Sequence, residues 1–187
     1  MIGNLLLHAI SKGEIGIQAI GFLAMALGIS SYQFKTRKGI LLMQLSASVL
    51  WIVQFLFLKS YAGAMLNGVA IVRNLLFSFK GKYKWADSLM LPAFVMVLFA
   101  AAGLYTYTLE GLISIIPTVA MLLSTVALYI TNEKVIRILS LFVSPPWLIY
   151  DAISGSDAGV LCESFMIISI IVAMIRYRDK KINYNKG

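Results

Sequence analysis

Long continuous apolar stretches alternate with short polar or basic stretches along this chain. Within the apolar stretches, polar residues do not recur at every second position, so the pattern favours helices over the strands of a membrane barrel. A helix needs about 20 apolar residues to cross the hydrocarbon core of a bilayer. The pattern predicts seven such helices, at about 14–32, 39–58, 61–79, 87–105, 109–130, 135–153 and 158–176.

The composition supports a membrane location. Of the 187 residues, 60% are hydrophobic and only 13% are charged, and the mean hydropathy is +0.86. A soluble domain carries about 25% charged residues. We therefore expect an all-α integral membrane protein, with a single membrane domain over 1–187. No cleavable signal peptide is expected at Met1–Gly13, where no basic region precedes the short apolar patch.

The net charge of +8 is concentrated in alternate connections. One set of connections and the tail hold most of the basic residues: Lys35, Arg37, Lys38, Lys80, Lys82, Lys84, Lys134, Arg137, Arg176, Arg178, Lys180, Lys181 and Lys186. The opposite side holds Lys12, Lys59, Glu14, Glu110, Asp151 and Asp157. The positive-inside rule then predicts a multi-pass protein with its N-terminus outside and its C-terminus in the cytoplasm. The basic tail is interpreted as contact with the lipid bilayer, and nucleic acid is not expected as a partner.

An internal repeat relates two parts of the chain at an offset of 96 residues, the distance from Ser48 to Ser144. At this offset the matched pairs include Trp51 and Trp147, Ser60 and Ser156, Gly63 and Gly159, Glu14 and Glu110, and Lys38 and Lys134. Shared hydrophobicity does not explain matched Trp, Glu and Lys. We predict repeats at about 14–84 and 110–180, joined by a linker helix at about 87–105. Three helices plus the linker make the repeats parallel, a plan of transporters whose site lies between repeats.

Polar and aromatic residues share one face of the second helix in each repeat. The two stripes are Gln44, Ser48 and Trp51, and Ser140, Ser144, Trp147 and Asp151. Their spacing of i, i+4 and i+7 places each stripe on one helical face. If both faces meet at the repeat axis, the tryptophans are two flat walls for a small ligand. The alternative is helix packing, with each indole N–H bonded to a neighbour.

Asn67 and Glu163 occupy equivalent positions in the third helix of each repeat, and Asn74 lies on the Asn67 face. A charge within the membrane costs about 2.5–3.5 kcal/mol on insertion scales, so Glu163 needs a partner, a proton or water. It is a candidate to bind ligand or carry a coupled proton; a structural hydrogen bond is the alternative. Arg73 either snorkels or pairs with Glu163 or an anionic substrate group. Asp151 is a further candidate for charge coupling.

Three prolines fall in predicted helices of the second repeat, Pro117, Pro145 and Pro146, whereas the first repeat has none. A proline inside a helix removes a backbone hydrogen bond and kinks the helix, which membrane helices tolerate where neighbours or water replace that bond. These prolines are candidate hinges for alternating access. A fixed kink is the alternative.

The sequence does not predict an enzyme. It has no glycine-rich phosphate loop, no cluster of metal ligands and no catalytic triad with a base. The lone His8 is interpreted as a surface residue and the lone Cys162 as a core residue. We therefore expect no metal and no cofactor, and an unknown small-molecule substrate as partner. A homo-oligomer is compatible with the sequence but is not required, because both repeats lie in one chain.

The segment Ser31-Tyr32-Gln33-Phe34-Lys35-Thr36-Arg37-Lys38, followed by Trp51, resembles the motif of PQ-loop and SWEET-type proteins. In those families a Pro-Gln pair ends helix 1, a basic turn follows, and helix 2 carries a tryptophan; Tyr32 stands here in place of that proline. The resemblance implies a fold of three helices, a linker helix and three helices.

The chain resembles the YgjV-type bacterial inner membrane proteins more closely. The matching features are Tyr61-Ala62-Gly63 with Arg73, Leu123-Ser124-Thr125-Val126-Ala127-Leu128, Gly155-Ser156 with Glu163, and Ile175-Arg176. This resemblance implies a location in the bacterial inner membrane.

The SWEET-type resemblance implies a central pocket with an asparagine pair on helices 3 and 7, and aromatic or small residues on helices 2 and 6. By position it implicates Asn67, Glu163, Ser48, Trp51, Ser144 and Trp147. Because Glu163 departs from the asparagine pattern, a sugar is disfavoured and a polar cationic or zwitterionic molecule is favoured. The implied function is transport or facilitated passage of a small polar metabolite. The alternative is a non-transporting membrane sensor or accessory subunit with the same fold.

Overall fold

The computed structural model describes residues 12–31, 37–130 and 133–184, and the side chains of 15–30, 43, 45–130, 138–139 and 141–172. The described residues form helices and no strands, which confirms the all-α prediction. The α-helices are Lys12–Ser31 (α1), Arg37–Phe57 (α2), Tyr61–Phe77 (α3), Met90–Glu110 (α4), Ile115–Tyr129 (α5), Glu133–Ser154 (α6) and Asp157–Tyr184 (α7). Short 3₁₀ segments at Lys84–Asp87 and Gly111–Ser114 precede α4 and α5.

The helices follow the predicted apolar stretches to within a few residues, with three differences. The helix predicted at 109–130 begins only at Ile115, after a 3₁₀ segment. The helix predicted at 87–105 begins and ends later, because the 3₁₀ turn takes up its predicted start and Gly111 ends it. Gly111 has a φ of +68°, a left-handed conformation that glycine adopts at little cost. The last helix continues beyond 176 to Tyr184, into the basic tail.

One described helical run is long and apolar enough to cross a membrane by length and hydropathy: Met90–Tyr129, with 40 residues and a hydropathy of 2.1. Shorter apolar helices lie at Ile15–Ser30, Leu45–Phe57 and Tyr61–Phe77. The long run folds back at Gly111, since a Cβ at Gly103 of α4 would lie 2.4 Å from the Thr118 side chain of α5. The run therefore contains two antiparallel helices.

The helices other than α4 form a closed ring. Along it, α1 packs on α2, α2 on α3, α3 on α5, α5 on α6, α6 on α7, and α7 on α1. We call α1–α3 the first half and α5–α7 the second half. If each helix of one half is exchanged for its counterpart in the other half, the order of neighbours around the ring stays the same.

Helix α4 packs against α3 and α5. Its outward side chains are apolar and exposed: Met90, Phe94, Val97 and Leu104.

The core is formed by side chains of α2, α3, α4, α5 and α6. Its largest buried side chains include Phe55, Leu66, Phe99 and Tyr150. Helix α3 contributes small buried residues at Ala62, Ala64 and Ala70. Small residues let helix backbones approach closely, which is how apolar helices pack in a membrane.

The turn after α2 and the turn after α6 have the same backbone conformation. The amide of Ser60 donates to the carbonyl of Phe55 at 2.8 Å, and the amide of Ser156 donates to the carbonyl of Asp151 at 2.9 Å. The residue before each serine is left-handed, with φ of +58° in the first turn and +72° in the second. These are the features of a Schellman helix end, and they recur at the 96-residue offset.

The prolines have two different settings. Pro145 and Pro146 lie inside α6, which continues on both sides of them. Pro117 is the third residue of α5. Amides in the first turn of a helix have no intrahelical acceptor, so a proline there removes no hydrogen bond. Pro117 therefore starts a helix and does not interrupt one.

Candidate functional site

A cavity of about 270 Å³ lies inside the ring, between side chains of α2, α3, α5, α6 and α7. Ligand pockets begin at about 300 Å³, so this cavity suits a small ligand. It brings together seven predicted site residues: Trp51, Asn67, Arg73, Ser144, Trp147, Asp151 and Glu163. Each half of the ring contributes a tryptophan and a polar side chain from its third helix.

Two other predicted site residues, Ser48 and Asn74, do not line the cavity. Ser48 is half-buried outside the lining. Asn74 also lies outside it, and its side-chain oxygen accepts a hydrogen bond from Nε of Arg73 at 3.3 Å. The side chain of Gln44 falls outside the described residues. Of the described side chains in the stripe predicted on α2, Trp51 lines the cavity and Ser48 does not.

Several lining residues were not predicted, among them Phe55, Gly159 and Cys162. Phe55 follows Trp51 by four residues and matches Asp151 at the 96-residue offset, so the repeat itself held a signal for it. Cys162 was interpreted as a core residue, and it lines the cavity beside Glu163. Met121 and Ser124 of α5 also line it, because packing of α5 on α3 brings them there. No sequence spacing indicates that contact.

The tryptophans belong to an aromatic cluster beside the cavity. Phe55 stacks on Trp51, with ring centroids 6.1 Å apart, and lies 6.3 Å from Trp147. Trp147 meets Tyr150 edge-on at 5.8 Å. Such pairs add about 0.5–1.5 kcal/mol to stability beyond their burial. The walls of the cavity are therefore held in place by neighbours on both halves.

Arg73 is buried in the bundle, at 6% exposure, and does not snorkel. Its Nη1 donates to the Ser124 hydroxyl at 2.5 Å, and its guanidinium carbon lies 5.5 Å from the centre of the Phe99 ring. Arginine is attracted to an aromatic face. These contacts direct the charge toward α4 and α5, not toward Glu163.

Two carboxyl groups line the second half of the cavity. Asp151 of α6 is 3% exposed, and Glu163 of α7 is half-buried. They are close enough to interact electrostatically, and the Ser144 side chain is a hydrogen-bonding neighbour of Glu163. On the first half, the counterpart of Glu163 is Asn67, whose Nδ2 donates to the carbonyl of Gly63 at 2.9 Å. Both carboxyl groups of the cavity therefore lie on the second half, whereas the first half contributes Asn67 and Arg73.

A polar network joins the first half to the start of α7. Nε2 of Gln18 donates to the carbonyl of Gly155 at 2.6 Å, and the amide of Asp157 donates to Oε1 of Gln18 at 3.1 Å. Gln54 donates to Gln18 at 3.3 Å and accepts a hydrogen bond from the Ser156 hydroxyl at 3.3 Å. Both Gln54 and Ser156 are fully buried.

A second network joins the second half to the start of α3. The amide of Gly63 donates to the Tyr150 hydroxyl at 2.8 Å, and that hydroxyl donates to Oε2 of Glu110 at 3.2 Å. Oε1 of Glu110 accepts a hydrogen bond from the amide of Ala62 at 2.9 Å. Amides at the start of a helix have no intrahelical acceptor, so these side chains satisfy them.

The two networks are reciprocal. Gln54 and Tyr150 are equivalent at the 96-residue offset, and each reaches from the second helix of its own half to the start of the third helix of the other. Both networks lie at the end of the ring that holds the turns after α2 and α6. We call this end the turn end. Phe55 and Asp151 lie between it and the rest of the cavity.

The opposite end of the ring carries basic and aromatic residues. Nζ of Lys80 lies 3.6 Å from the centre of the Tyr129 ring and donates to the carbonyl of Tyr129 at 2.5 Å. Tyr83 stacks on Trp85 at 6.2 Å, and both rings are about half exposed. Aromatic and basic residues concentrate where a membrane protein meets headgroups.

The apolar helices, the exposed apolar side chains and the cavity with polar side chains between the helices define a helical membrane protein. Residues 15–181 match the family Imp-YgjV, described as bacterial inner membrane protein. This match covers more than half of the chain, and the chain therefore belongs to this family of bacterial inner membrane proteins. Comparisons with curated proteins and with solved structures found no match.

Proposed function

We propose that this protein is a transporter or facilitator for a small polar metabolite, with its site between two parallel three-helix halves. The observation that carries the proposal is the cavity, which both halves wall with equivalent residues. Trp51 and Trp147 both line the cavity, and so do Asn67 and Glu163. A site between repeats lets one half move against the other around a bound ligand.

In this proposal α1–α7 all cross the membrane, and α4 links the two halves in a fold like that of SWEET-type proteins. The symmetric order of helix neighbours supports this arrangement. The positive-inside rule places Lys80, Lys82 and Lys84 at the cytoplasmic face, with Tyr83 and Trp85 at the headgroup level. The turn end then faces the periplasm.

The reciprocal networks are the proposed outer gate. Passage to the periplasm requires Gln54 to part from Ser156, and Tyr150 from Gly63, so that the halves separate at the turn end. Pro145 and Pro146 lie in α6 next to Ser144 and Trp147 of the cavity. The backbone hydrogen bonds missing there make α6 the helix most easily bent, which supports a hinge at this position.

Uptake into proteoliposomes tests the proposal. The purified full chain is reconstituted and offered radiolabelled sugars, amino acids, polyamines and nucleosides. We expect uptake of one class above empty liposomes, and a loss of at least tenfold in Trp51→Ala and Glu163→Gln. Trp85→Ala, at the exposed aromatic cluster outside the cavity, is the matched control and retains uptake.

Two results would contradict transport. Reconstituted, folded protein that moves none of these solutes counts against it, and so does full uptake in both cavity variants. A solute that binds without crossing the membrane favours the alternative function of a membrane sensor. The sensor and the transporter share the cavity, and flux across the bilayer separates them.

A further inference from the structure

Asp151 is the most unusual polar residue in the described part of the chain. Its side chain is 3% exposed and lines the cavity. Its Oδ1 is buried without a hydrogen-bond partner among the described residues. More than about 90% of buried polar groups in proteins have such a partner, so an unpaired carboxyl oxygen beside a cavity needs an explanation.

The space around this carboxyl is made by a glycine. A Cβ at Gly159 of α7 would lie 2.5 Å from Cγ and 2.6 Å from Oδ2 of Asp151. Contacts below 3.0 Å do not occur for real Cβ atoms, so any other residue at this position would displace the carboxyl. The chain therefore accommodates the Asp151 carboxyl through the absence of a side chain at Gly159.

A second acid lies one helical turn further along the same wall. Glu163 follows Gly159 by four residues, and residues four apart share a face of a helix. Two like charges in a low-dielectric cavity repel each other unless a cation, a proton or water lies between them. The cation that lines the same cavity, Arg73, is held by Ser124 and by the Phe99 ring.

Aromatic side chains complete the surroundings of the acids. Trp147 follows Ser144 by one turn of α6 and precedes Asp151 by another, and Trp51 lines the cavity from the first half. The faces of tryptophan rings attract cations, with about 0.5–2 kcal/mol per contact depending on desolvation. Carboxylates together with indole rings are the chemistry that recognises an organic ammonium group.

We propose that the cavity binds a small organic ammonium compound, with its cationic nitrogen between Asp151 and Glu163 and against Trp147. The inference rests on the proposed function for the location of the site, although binding is measured without transport. The nitrogen supplies the donor that Oδ1 of Asp151 lacks. Cationic amines and zwitterionic amino acids share this chemistry, and the experiment separates them.

The experiment measures binding to the purified full chain in detergent, by isothermal titration calorimetry and by the shift in unfolding temperature. The probes are putrescine and choline as cations, L-alanine as a zwitterion, glucose as a neutral solute and succinate as an anion. We expect at least one ammonium probe to bind, and glucose and succinate not to bind. Binding of L-alanine alone assigns a zwitterion, whereas binding of putrescine or choline assigns a cation.

Variants locate the site. Asp151→Asn and Glu163→Gln each weaken the bound ammonium probe at least tenfold. Asp87→Asn removes an exposed acid outside the cavity, at the opposite end of the ring, and keeps wild-type affinity. If Asp151→Asn does not fold, Glu163→Gln supplies the test, since its side chain is only half-buried. Unchanged affinity in a folded cavity variant, or no binding of any ammonium probe at millimolar concentration, overturns the inference.

The failures of the two proposals are distinct. An ammonium compound that binds through Asp151 but does not cross the membrane leaves this inference standing and removes transport. Uptake of a neutral sugar at full rate in Glu163→Gln, without ammonium binding, leaves transport standing and removes this inference.

Discussion

The helix pairs α2–α3 and α6–α7 pack in the same way around a glycine, but the side chain that packs against the glycine differs between them. In both pairs a glycine in the first turns of the third helix receives the side chain eight residues before it. A Cβ at Gly63 would lie 2.7 Å from the Phe55 ring, and a Cβ at Gly159 would lie 2.5 Å from the Asp151 carboxyl. The space is thus the same, but the first half fills it with a ring and the second with an acid.

The same contrast extends to the neighbouring positions. The first half carries Asn67 where the second carries Glu163, and Lys59 where the second carries Gly155. The second half therefore holds both acids of the cavity. The packing geometry at the two glycines is thus alike, while the residues that set the cavity charge differ between the halves.

The strongest test of this comparison places the side chain of one half at the equivalent position of the other. Phe55→Asp removes a ring that is 2% exposed and places a carboxyl in the aromatic cluster. We expect a loss of at least about 3 kcal/mol in the free energy of unfolding, since truncating a buried phenylalanine costs about 3–5 kcal/mol. Unfolding in detergent by titration with sodium dodecyl sulfate measures the change.

The reverse exchange, Asp151→Phe, has the opposite effect on stability. It removes a carboxyl oxygen that lacks a partner, and Gly159 leaves room for the ring as Gly63 does for Phe55. We expect an unfolding free energy no lower than that of the wild type, together with loss of ammonium binding. A marked loss of stability in Asp151→Phe would show that the two spaces are not equivalent.

Adding a methyl group at each glycine has the next largest effect. Gly63→Ala forces the buried Phe55 ring to move, and overpacking of this kind costs about 1–3 kcal/mol. In Gly159→Ala the displaced group is the Asp151 carboxyl, which borders the cavity and has room to move. We expect a smaller loss of stability there and a larger loss of ligand binding. Thermal unfolding and calorimetry measure the two effects.

Gly68→Ala is the control for both glycine variants. Gly68 lies in α3, and a Cβ there would meet no atom within 4 Å. Alanine is favoured over glycine inside a helix by up to about 1 kcal/mol, so this variant should be as stable as the wild type or more so. Equal destabilisation in all three variants would remove the steric explanation.

The hydrogen-bond network of the proposed outer gate predicts a moderate loss of stability for a change at Tyr150. Tyr150→Phe leaves the amide of Gly63 and a carboxylate oxygen of Glu110 without their shared hydroxyl. Unsatisfied buried groups cost about 1–3 kcal/mol, and we expect a loss in that range by unfolding in detergent. Tyr61→Phe changes an exposed tyrosine at the start of α3 and should stay within about 0.5 kcal/mol of wild type. Equal values for the two variants would contradict the network.

The turns predict the smallest effect. Lys59 has a left-handed φ of +58° where the second half has Gly155. Lys59→Gly relieves about 1–2 kcal/mol of backbone cost but makes the unfolded chain more flexible. We expect a net gain of less than about 1 kcal/mol and a rise in unfolding temperature. Lys59→Ala keeps the strained conformation and gives no gain; a gain of the same size there would point to the lysine charge instead.

The sequence by itself determined the helices and much of the cavity. Continuous apolar stretches predict helices because only hydrogen bonding within the helix satisfies the backbone in an apolar medium. The 96-residue offset singled out Trp51 with Trp147 and Asn67 with Glu163, and the structure places all four around one cavity. Helical periodicity carries this information because it decides which residues share a face.

Only the tertiary structure decided how the helices surround that cavity. The direction of Arg73 depends on α5 and Phe99, and the pairing of Gln54 with Ser156 and of Tyr150 with Gly63 joins residues far apart in the chain. The close approach of the Asp151 carboxyl to Gly159 likewise depends on how α6 and α7 pack. Residue spacing along one helix shows which side chains share a face of that helix. Which neighbouring helix that face contacts is decided by packing between helices, which no local pattern encodes.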